Sequence, residues 1–489
     1  MMAKKLINKT VVLNVVGTLI IITGFLMALA IPFSFYYDDG MQFVFIKSTI
    51  ITLIIGLLTK YLTRRKKNDE VKKREGYLIV AFGWSGMIVC SAIPYLLSGA
   101  FDGVTNAFFE TISGLTTTGS SILNNIEEMP ESILFWRSMT QWIGGMGIIV
   151  LTIAILPLLG VGGMELFASE APGPNKDKIH PRIKETAKRL WLIYVSLTLM
   201  QTLLLWLADM NFFDAFNHAL TTISTGGFST KQASIGHFTS PLIQYIVIAF
   251  MFLGGTSFTL LYLGAKLKFK KFLENDEFKW YVSAILLLLL VIVPLVNQST
   301  NGSLENSFRL ALFQIVSIIT GTGYSNADFT TWGAFATFIF FLLMFSGASA
   351  GSTSGGIKIV RIILLMKNTL LEFKRRLHPN AIIPVYLNKI AVPPKTIYNL
   401  LAFLFLYLFT FVTGAIILTF IGLEFKDAIG ASATAISNVG PGIGSINPSS
   451  SFAHLPVTAK WVLSFLMILG RLELFTIAIL FTPYFWRRN

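Results

Sequence analysis

The stretch "IITGTGYSN", residues 318–326, places two glycines, two threonines and a tyrosine directly before a Phe-rich apolar run. Such a segment does not continue a helix comfortably, because glycine loses more conformational freedom on folding than any other residue. Its surroundings nevertheless have the composition of a membrane span. Irregular backbone at that depth is tolerated only where protein surrounds it or where it lines water. The stretch therefore indicates a turn in a protein-lined interior of a membrane protein.

The composition of the whole chain is that of an integral membrane protein. Of its 489 residues, 54% are hydrophobic and 13% are charged, whereas soluble domains carry roughly 25% charged residues. Apolar stretches of about 20 residues, long enough to cross the hydrocarbon core as a helix, recur along the chain. The single cysteine, Cys90, excludes an intramolecular disulfide. The run from Val11 to Ile31 is longer than the apolar region of a signal peptide, so we expect an uncleaved first helix.

The formal net charge of +14 follows from topology and not from nucleic-acid binding. Most Lys and Arg residues form clusters, and the spacers between clusters are almost free of them. The clusters lie at 4–9, 60–74, 176–189, 266–279, 358–395 and 487–488. The positive-inside rule places every cluster, and both termini, in the cytoplasm. We therefore expect a multi-pass protein of the cell (cytoplasmic or inner) membrane.

Between the clusters, the apolar pattern predicts ten transmembrane helices in pairs. The predicted spans lie near 11–31, 43–62, 77–98, 132–160, 185–208, 240–263, 279–297, 331–365, 396–421 and 457–482. In each pair after the first, a longer outside segment separates the two spans. These segments lie near 101–124, 211–231, 303–326 and 424–447.

The four outside segments share one pattern, an apolar helical stretch followed by a Gly-, Thr- and Ser-rich end. They read "AFFETISGLTTTGSS", "AFNHALTTISTGGFS", "LFQIVSIITGTGYSN" and "GASATAISNVGPGIG". They align on Gly119, Gly226, Gly323 and Gly440, at intervals of about 100 residues, which is the size of a whole membrane module. Nine residues before these glycines stand Glu110, Asn217, Gln314 and Ala431. The three polar side chains either bond to the loop backbone or contribute to packing of the helix.

The repeat predicts an all-α membrane protein in which four span–pore helix–span units surround one ion pore. The N-terminal two-helix pair occupies 1–66. Repeats 1 and 2 occupy 67–170 and 171–272, repeat 3, with an intramembrane gating loop, occupies 273–385, and repeat 4 occupies 386–489. Each apolar stretch has about 12 residues, which at 1.5 Å per residue reaches only partway through a 30 Å core. We call these stretches half-helices.

Four half-helices around one axis would form an ion site built from the backbone. Their carbonyl ends carry partial negative charge, and a glycine beyond each end turns neighbouring carbonyls toward the axis. Neutral oxygens replace the hydration shell of a monovalent cation without trapping the ion. No Asp or Glu lies within three residues of the aligned glycines, whereas a divalent-ion filter would be expected to show an acidic ring.

These units resemble the superfamily of potassium transporters that includes Trk, Ktr and the plant HKT proteins. The extra N-terminal pair and the length are similar to its TrkH/TrkG branch, and the likeness covers essentially the whole chain. It implies a potassium filter at Thr117, Thr118, Gly119, Ser224, Thr225, Gly226, Gly321, Thr322, Gly323, Asn438, Val439 and Gly440. In the superfamily, serine at the first filter glycine is associated with sodium permeation, so Gly119 implies potassium preference. Asn438 and Pro441 make the fourth loop the least regular.

Two features are predicted to lie below the filter. The first is "FSGASAGSTSGGIK", residues 345–358, where glycine and serine interrupt a long span. It is interpreted either as a gate or as a small-residue packing face. The resemblance favours a gate, whose candidate residues are Ser346, Gly347, Gly351, Gly355 and Gly356. The same stretch formally matches a G-x-S-x-G nucleophile elbow, but neither a strand–turn–helix context nor a histidine base is visible.

The second feature is Arg471, near the middle of the last predicted span. A guanidinium at a helix centre costs about 2.5–3.5 kcal/mol on insertion scales, so it is expected to face a cavity or a partner. The resemblance implies that Arg471 projects under the filter as a constriction of the pore. The alternative is a buried ion pair that only fixes packing.

The resemblance further implies potassium uptake by a homodimer that docks a cytosolic TrkA-like ring. That ring would bind the regulatory nucleotide, and we expect no cofactor and no catalytic chemistry in this chain. Two alternatives stay open at the level of sequence. One is a sodium-conducting or non-selective relative, and the other is a secondary solute carrier with inverted repeats.

Overall fold

The computed structural model describes residues 7–63, 71–150, 179–300 and 302–487, and helices dominate these ranges. In the described residues, six helices are long and apolar enough to cross a membrane, or up to eight if each of two bent helix pairs forms one span. The ten-span expectation therefore stays a prediction. The repeat boundaries at 66 and 170 lie outside the described residues.

The N-terminal pair consists of a bent first helix and a second helix packed against it. The helices are Lys9–Ala28, Ala30–Tyr37 and Gln42–Leu62. They approach closely at two glycines, since a β-carbon on Gly17 would lie 3.0 Å from the carbonyl oxygen of Gly56. Small residues permit this contact in apolar surroundings, where close van der Waals packing holds helices together.

Asp39, in the loop of this pair, attaches it to the rest of the molecule. One carboxylate oxygen accepts the Ser132 amide at 2.9 Å, and the other accepts the Met41 amide and the Ser34 hydroxyl. Burial alone would raise the pKa of Asp39, but these hydrogen bonds outweigh burial and hold the pKa below its ordinary value. The carboxylate is thus charged while it caps the helix that begins at Glu131.

The other described residues form four successive units of helix, half-helix and helix. The first helices of the units are Lys73–Ser98, Ile179–Leu207, Asp276–Thr300 and Pro394–Ile421. The half-helices are Gly103–Leu115, Phe212–Ile223, Leu304–Thr320 and Phe425–Ser437. The last helices are Glu131–Val150, Pro241–Gly255 with Phe258–Ala265, Ala334–Met344 with Ile359–Leu377, and Val457–Arg471 with Leu474–Ala478. The remaining short helices are Lys270–Glu274 and Pro483–Trp486, with 3-10 turns at Ile126–Glu128, Ser234–His237, Phe329–Trp332, Gly444–Ile446 and Ile479–Phe481.

The last helices of the second and fourth units are broken, which the uninterrupted predicted spans 240–263 and 457–482 did not anticipate. The chain bends by 109° after Gly255 and by 110° after Arg471. At the second break Glu473 has a φ of 63°, in the left-handed region that few side chains adopt. At the first break, partners from a distant loop satisfy the freed backbone groups. The Ser349 amide donates to Gly255, and the Phe258 amide donates to Gly351, both at 3.0 Å.

Two short strand pairs depart from the all-α expectation. Strands β1 (Ser346–Gly347) and β2 (Ile357–Lys358) pair in parallel at the two ends of the interrupted span of the third unit. Strands β3 (Val385–Leu387) and β4 (Ile390–Val392) form an antiparallel hairpin. Its two-residue turn, Asn388 and Lys389, has φ values of 48° and 66°, as a tight hairpin turn requires. A sequence pattern of helical periodicity does not reveal strands of two or three residues.

Burial is distributed inside out relative to a soluble protein. The C-terminal parts of the half-helices are enclosed; in the fourth, Ala431, Ala433 and Ala435 have no exposed surface. Large apolar side chains on the surrounding helices are exposed instead, such as Phe420 at 91% and Leu290 at 79%. Apolar residues on the outside suit a lipid environment, and buried polar residues must be satisfied by protein. Candidate functional residues are therefore expected in the interior around the half-helices.

Candidate ion path

Each half-helix ends in a loop with the same alternating backbone conformation. In every loop two residues, separated by one, have positive φ. They are Thr117 and Gly119, Thr225 and Gly227, Gly321 and Gly323, and Asn438 and Gly440. Three of the four first positions are held by residues other than glycine, so neighbouring contacts must stabilise a conformation that costs about 1–3 kcal/mol. We call the second members of these pairs the turn glycines.

The second loop corrects the sequence alignment by one residue. Gly227 has positive φ there, and Gly226 does not. The amide of Gly226 donates to Thr221 at 2.9 Å, as the amides of Thr118 and Thr322 donate five residues back in their own loops. Gly226 thus occupies the position before the turn glycine, and its assignment as the turn glycine is wrong. Two adjacent glycines left the choice open, because either tolerates positive φ.

The four loops meet head to tail in a closed ring. A β-carbon on Gly440 would lie 2.8 Å from the carbonyl oxygen of Thr118, in the first loop. In the other three loops the contact is closer still. There, the turn glycine lies against a carbonyl oxygen of the next loop, that of the residue preceding its turn glycine. These contacts run from Gly119 to Gly226, from Gly227 to Thr322 and from Gly323 to Val439. Only glycine fits at these positions, and the loops share one centre.

The ring offers neutral oxygen atoms. Its backbone carbonyls and its threonine and serine hydroxyls lie in buried residues, with Thr118, Thr322 and Ser224 at 0% exposure. The twenty residues of the four loop ends contain no ionisable side chain between 116–120, 224–228, 320–324 and 437–441 other than the phenol of Tyr324. The Tyr324 hydroxyl is engaged by His218 and Thr221 of the second half-helix. Such a ring suits a weakly held monovalent cation.

The four loops differ in how their side chains are held. In the first and third loops, paired threonine hydroxyls lie 2.8 Å apart, Thr116 with Thr118 and Thr320 with Thr322. In the fourth loop, the side-chain nitrogen of Asn438 donates to the Thr118 hydroxyl and to the carbonyl of Met467, both at 2.9 Å. The asparagine thus ties the fourth loop to the first loop and to the last helix.

The position nine residues before the turn glycine follows the corrected alignment. Glu110 accepts the amide of Ile122 at 3.0 Å, and Gln314 donates to the carbonyl of Ala327 at 2.8 Å, so both bond to the loop backbone. In the second unit this position is His218, which bonds to the Ser229 hydroxyl at 2.9 Å. The side chain of Asn217 donates to the carbonyl of Phe213 within its own half-helix.

On the outer side, a second set of contacts links the same loops in the same order. The Gln232 amide donates to Glu127, the Gly236 amide to Ser325, and the Phe452 amide to Ser121. The Ser325 hydroxyl donates to the carbonyl of Pro448 at 3.3 Å. A cavity of about 490 Å³ opens between these loops, and its lining is polar and mostly uncharged, from Asn124 to His454.

On the other side of the ring lies the loop between β1 and β2, which contains the five candidate gate residues. Its tip touches the ends of several half-helices. The Thr353 hydroxyl donates to the carbonyls of Ile223 at 3.0 Å and Gly254 at 3.2 Å. A β-carbon on Gly355 would lie 2.9 Å from that of Asn438 and closer still to the carbonyl of Ser437. The loop therefore fills the space directly beneath the ring.

The two ends of this loop are held by β1 and β2, which place Ser346 and Gly347 beside Ile357 and Lys358. The Ala350 amide donates to the carboxylate of Glu277 at 2.6 Å. The Lys358 ammonium donates to the carbonyl of Ser354. Gly351 and Gly356 have positive φ, and Gly347 lies against the backbone of Gly355. The small residues of the loop thus serve close backbone packing as well as interruption of the span.

Arg471 lies beside the loop and beneath the ring, at 2% exposure. Its guanidinium donates to the carbonyl of Thr353 at 2.8 Å and to that of Gly144 at 3.1 Å. Among the described residues no carboxylate pairs with it, because the nearby Glu473 is bound by Arg361 at 2.8 Å. The geometry does not match the alternative of an ion pair that fixes packing.

A family model described as a cation transport protein, TrkH, matches residues 41–488. The chain belongs to the TrkH family. The Trk system potassium uptake protein TrkH of Salmonella typhimurium is 40% identical over 479 residues, covering 97% of this chain and 98% of its own. TrkH of Halomonas elongata is 39% identical, covering 98% and 99%. The crystal structure of the potassium transporter TrkH from Vibrio parahaemolyticus superimposes with a TM-score of 0.90 at 36% identity, covering 98% of this chain and 100% of that chain.

Membership of the TrkH family makes the chain a multi-pass membrane protein of a transporter family and not an enzyme. The nucleophile-elbow match at residues 347–351 therefore carries no catalysis. In this TrkH-family chain, sequence reasoning missed Arg137 and Gln141, which contact the first two loops from the Glu131–Val150 helix. A signal for Arg137 was available, since a charged residue within an apolar span points to function as it did for Arg471.

Proposed function

We propose that the chain mediates potassium uptake across the cell membrane through the ring of four loops. The observation that carries this proposal is the closed head-to-tail contact of turn glycines and carbonyl oxygens. Carbonyl oxygens replace the hydration shell of potassium and release it again because they carry no full charge. The relatives named as potassium uptake proteins, aligned over 97–98% of this chain, support the same ion.

We propose that the loop at residues 345–358 and Arg471 close this path from below. The loop occupies the space under the ring, and Arg471 bonds to its Thr353 carbonyl. A cation leaving the ring would pass both the loop backbone and a positive charge. Opening requires the loop to withdraw. Withdrawal breaks the hydrogen bonds of Thr353 to Arg471, Ile223 and Gly254 and leaves the half-helices in place.

The proposed assembly is a homodimer that docks a cytosolic TrkA-like ring, with the nucleotide sites on that partner. The names of the relatives, which refer to a Trk system, support further subunits. Within the chain we propose the division into an N-terminal pair at 1–66 and four repeats at 67–170, 171–272, 273–385 and 386–489. Both termini are proposed to be cytoplasmic, as the basic clusters indicate.

Rubidium uptake into vesicles that contain the purified protein tests the proposal, with potassium and sodium as competitors. We expect potassium to block uptake at far lower concentration than sodium. Equal block by both ions would overturn the potassium assignment in favour of a non-selective or sodium-conducting protein.

The variant Gly119→Ser tests the ring itself. A β-carbon at residue 119 collides with the carbonyl oxygen of Gly226, and φ is 83° there, so the ring must shift. We expect the ratio of sodium to potassium half-blocking concentrations to fall about tenfold or more, since loss of one well-placed ligand is worth about 1.4 kcal/mol or more. An unchanged ratio in folded protein would contradict a role of this ring in selection.

A further inference from the structure

We infer that Glu110, Arg137 and Gln141 are positioning residues that set ion discrimination by fixing the first two loops against each other. The inference rests on the proposed potassium uptake. None of the three side chains lies in the ring, and each acts through the backbone of a loop. Arg137 and Gln141 stand one helical turn apart on the Glu131–Val150 helix, so they present the same face to the loops.

The first contact is a buried ion pair between the first half-helix and the neighbouring helix. Arg137 and Glu110 are 1% and 0% exposed, and their charged atoms lie 2.8 Å apart. A second nitrogen of Arg137 donates to the same carboxylate at 2.9 Å. Glu110 also accepts the amide of Ile122 and the hydroxyl of Ser121, in the segment just beyond Gly119. The first loop is thereby held on the outer side of its turn glycine.

Arg137 extends the same connection to the second loop. It donates to the carbonyl of Ser229 at 3.2 Å, and its guanidinium lies 4.2 Å from the centre of the Phe228 ring. Ser229 and Phe228 directly follow the turn glycine of the second loop. One planar, permanently charged group therefore holds both loops, and a planar fork of donors suits several acceptors at once.

Gln141 holds the ring carbonyl of the second loop directly. Its amide nitrogen donates to the carbonyl of Gly226 at 2.7 Å, and its oxygen accepts the amide of Phe228 at 3.0 Å. The Gly226 carbonyl is the one that abuts Gly119 in the ring. Gln141 thus fixes the orientation of a ring oxygen without touching the ion.

The interface of the second and third units uses a different arrangement. There, Gln244 accepts from Arg309 at 2.6 Å and from Asn326 at 3.1 Å, and the carboxylate partner of Arg309 is the half-exposed Glu305. Among the described residues, a fully enclosed carboxylate–guanidinium pair behind the loops occurs only within the first unit, where it faces the second unit. A buried charge left without its partner is costly, so that pair fixes its surroundings more strictly than neutral groups do.

Rubidium-uptake competition in vesicles tests the inference with Glu110→Gln, Arg137→Lys and Gln141→Met. The measured quantity is the ratio of sodium to potassium half-blocking concentrations, which a purely structural role would not alter. We expect a fall of about tenfold for Glu110→Gln and Gln141→Met, the effect of one lost strong hydrogen bond, and a smaller fall for Arg137→Lys, which keeps the charge but not the fork.

Glu75→Gln is the matched control. Glu75 is also buried, at 2%, and accepts backbone amides of Asn8 and Lys72, with no contact to the four loops. We expect Glu75→Gln to keep the parent ratio. If the ion-pair variants fail to fold, Gln141→Met, which retains size and loses only the hydrogen bonds, decides the matter.

The outcomes separate the inference from the proposed function. Folded variants that keep the parent ratio, or that change it no more than Glu75→Gln does, overturn the positioning role. A parent protein that itself fails to discriminate potassium from sodium overturns the proposed function instead. A fall in ratio with the control unchanged supports both.

Discussion

The proposed role of Arg471 is to obstruct the cation path without a partner of opposite charge among the described residues. Its two carbonyl acceptors lie in different parts of the chain, Thr353 in the loop beneath the ring and Gly144 in the helix of the first unit. Carbonyl dipoles do not neutralise a full charge, so a cation at the lower side of the ring still meets repulsion in a low-dielectric setting. The nearby Glu473 does not relieve it, because Arg361 holds that carboxylate.

We expect Arg471→Ala to increase rubidium flux several-fold, since two unit charges about 4 Å apart repel by up to roughly 4 kcal/mol at the effective dielectric constant of about 20 that describes buried protein sites. Initial uptake rates at matched protein amounts measure the effect. Arg471→Lys is the control, because it retains the charge, and its flux is expected to stay near that of the parent. A lower flux in Arg471→Ala than in the parent would show that the arginine supports conduction.

At the residue scale, the sequence revealed those residues whose chemistry is unusual for their surroundings. An arginine within an apolar helix is costly wherever it lies, and this predicted that Arg471 faces a cavity or a partner, whereas its place beneath the ring was implied by the family resemblance. The choice between Gly226 and Gly227 was not accessible, because only the contact with Thr322 in the next loop decides which glycine turns. Three-dimensional neighbours, and not local preference, fix that register.

The loop between β1 and β2 is the element whose shape depends most on the absence of side chains. Gly355 lies so close to Ser437 and Asn438 that a β-carbon has no room, and Gly347 lies in the same way against Gly355. The loop can therefore rest against the fourth half-helix only if residue 355 has no side chain. A side chain added at Gly355 acts as a wedge between the loop and the fourth half-helix.

Gly355→Ala is accordingly expected to raise basal rubidium uptake several-fold in the absence of any cytosolic partner. The added methyl group would lie 2.9 Å from the β-carbon of Asn438, which keeps the loop from its resting position. Overpacking of this kind costs about 1–3 kcal/mol. Basal uptake in vesicles is the measurement.

Gly86→Ala provides the comparison for this variant. Its β-carbon would meet only side-chain carbons, of Ile20 at 3.2 Å and of Val16 at 3.4 Å, so uptake is expected to match the parent. Equal basal uptake in Gly355→Ala and the parent would speak against the loop as a barrier.

At the element scale, the half-helices were predicted and the helix breaks were not. The outside segments near 101–124 and 303–326 contain the observed half-helices Gly103–Leu115 and Leu304–Thr320. An apolar helical pattern that ends in Gly, Thr and Ser residues carries its own stop signal. The break after Gly255 lies in Gly-Gly-Thr-Ser, residues 254–257, a comparable signal that the predicted span 240–263 ran through, and its backbone partners, Ser349 and Gly351, are supplied by a loop nearly a hundred residues away.

At the scale of the whole molecule, two sets of contacts join the same four loops in the same cyclic order. One set lies in the ring, and the other lies on the outer side, where Phe452 of the fourth unit returns to Ser121 of the first. The basic C-terminal end of the Ile359–Leu377 helix and the hairpin at β3 and β4 lie in a single stretch of chain between the third and fourth units. The proposed orientation puts the outer loops outside the cell and this stretch in the cytoplasm.

Cysteine accessibility tests that orientation in a Cys90→Ala background, which removes the single, buried cysteine. We expect a membrane-impermeant thiol reagent to label Ser449→Cys, an exposed outer-loop position, in intact cells. Ile382→Cys, at 98% exposure, should react only after the cells are permeabilised. Labelling of Ile382→Cys in intact cells would reverse the assigned topology.

Four segments of one chain each supply one turn glycine of the ring, and no two of these segments have the same sequence. In an assembly of identical subunits, a single codon change would alter all four quarters of the ring together. Here the same change touches one quarter and leaves three intact. A mutation can therefore change one loop of the ring and leave the other three as they are. The asparagine of the fourth loop is one such change, confined to a quarter of the ring.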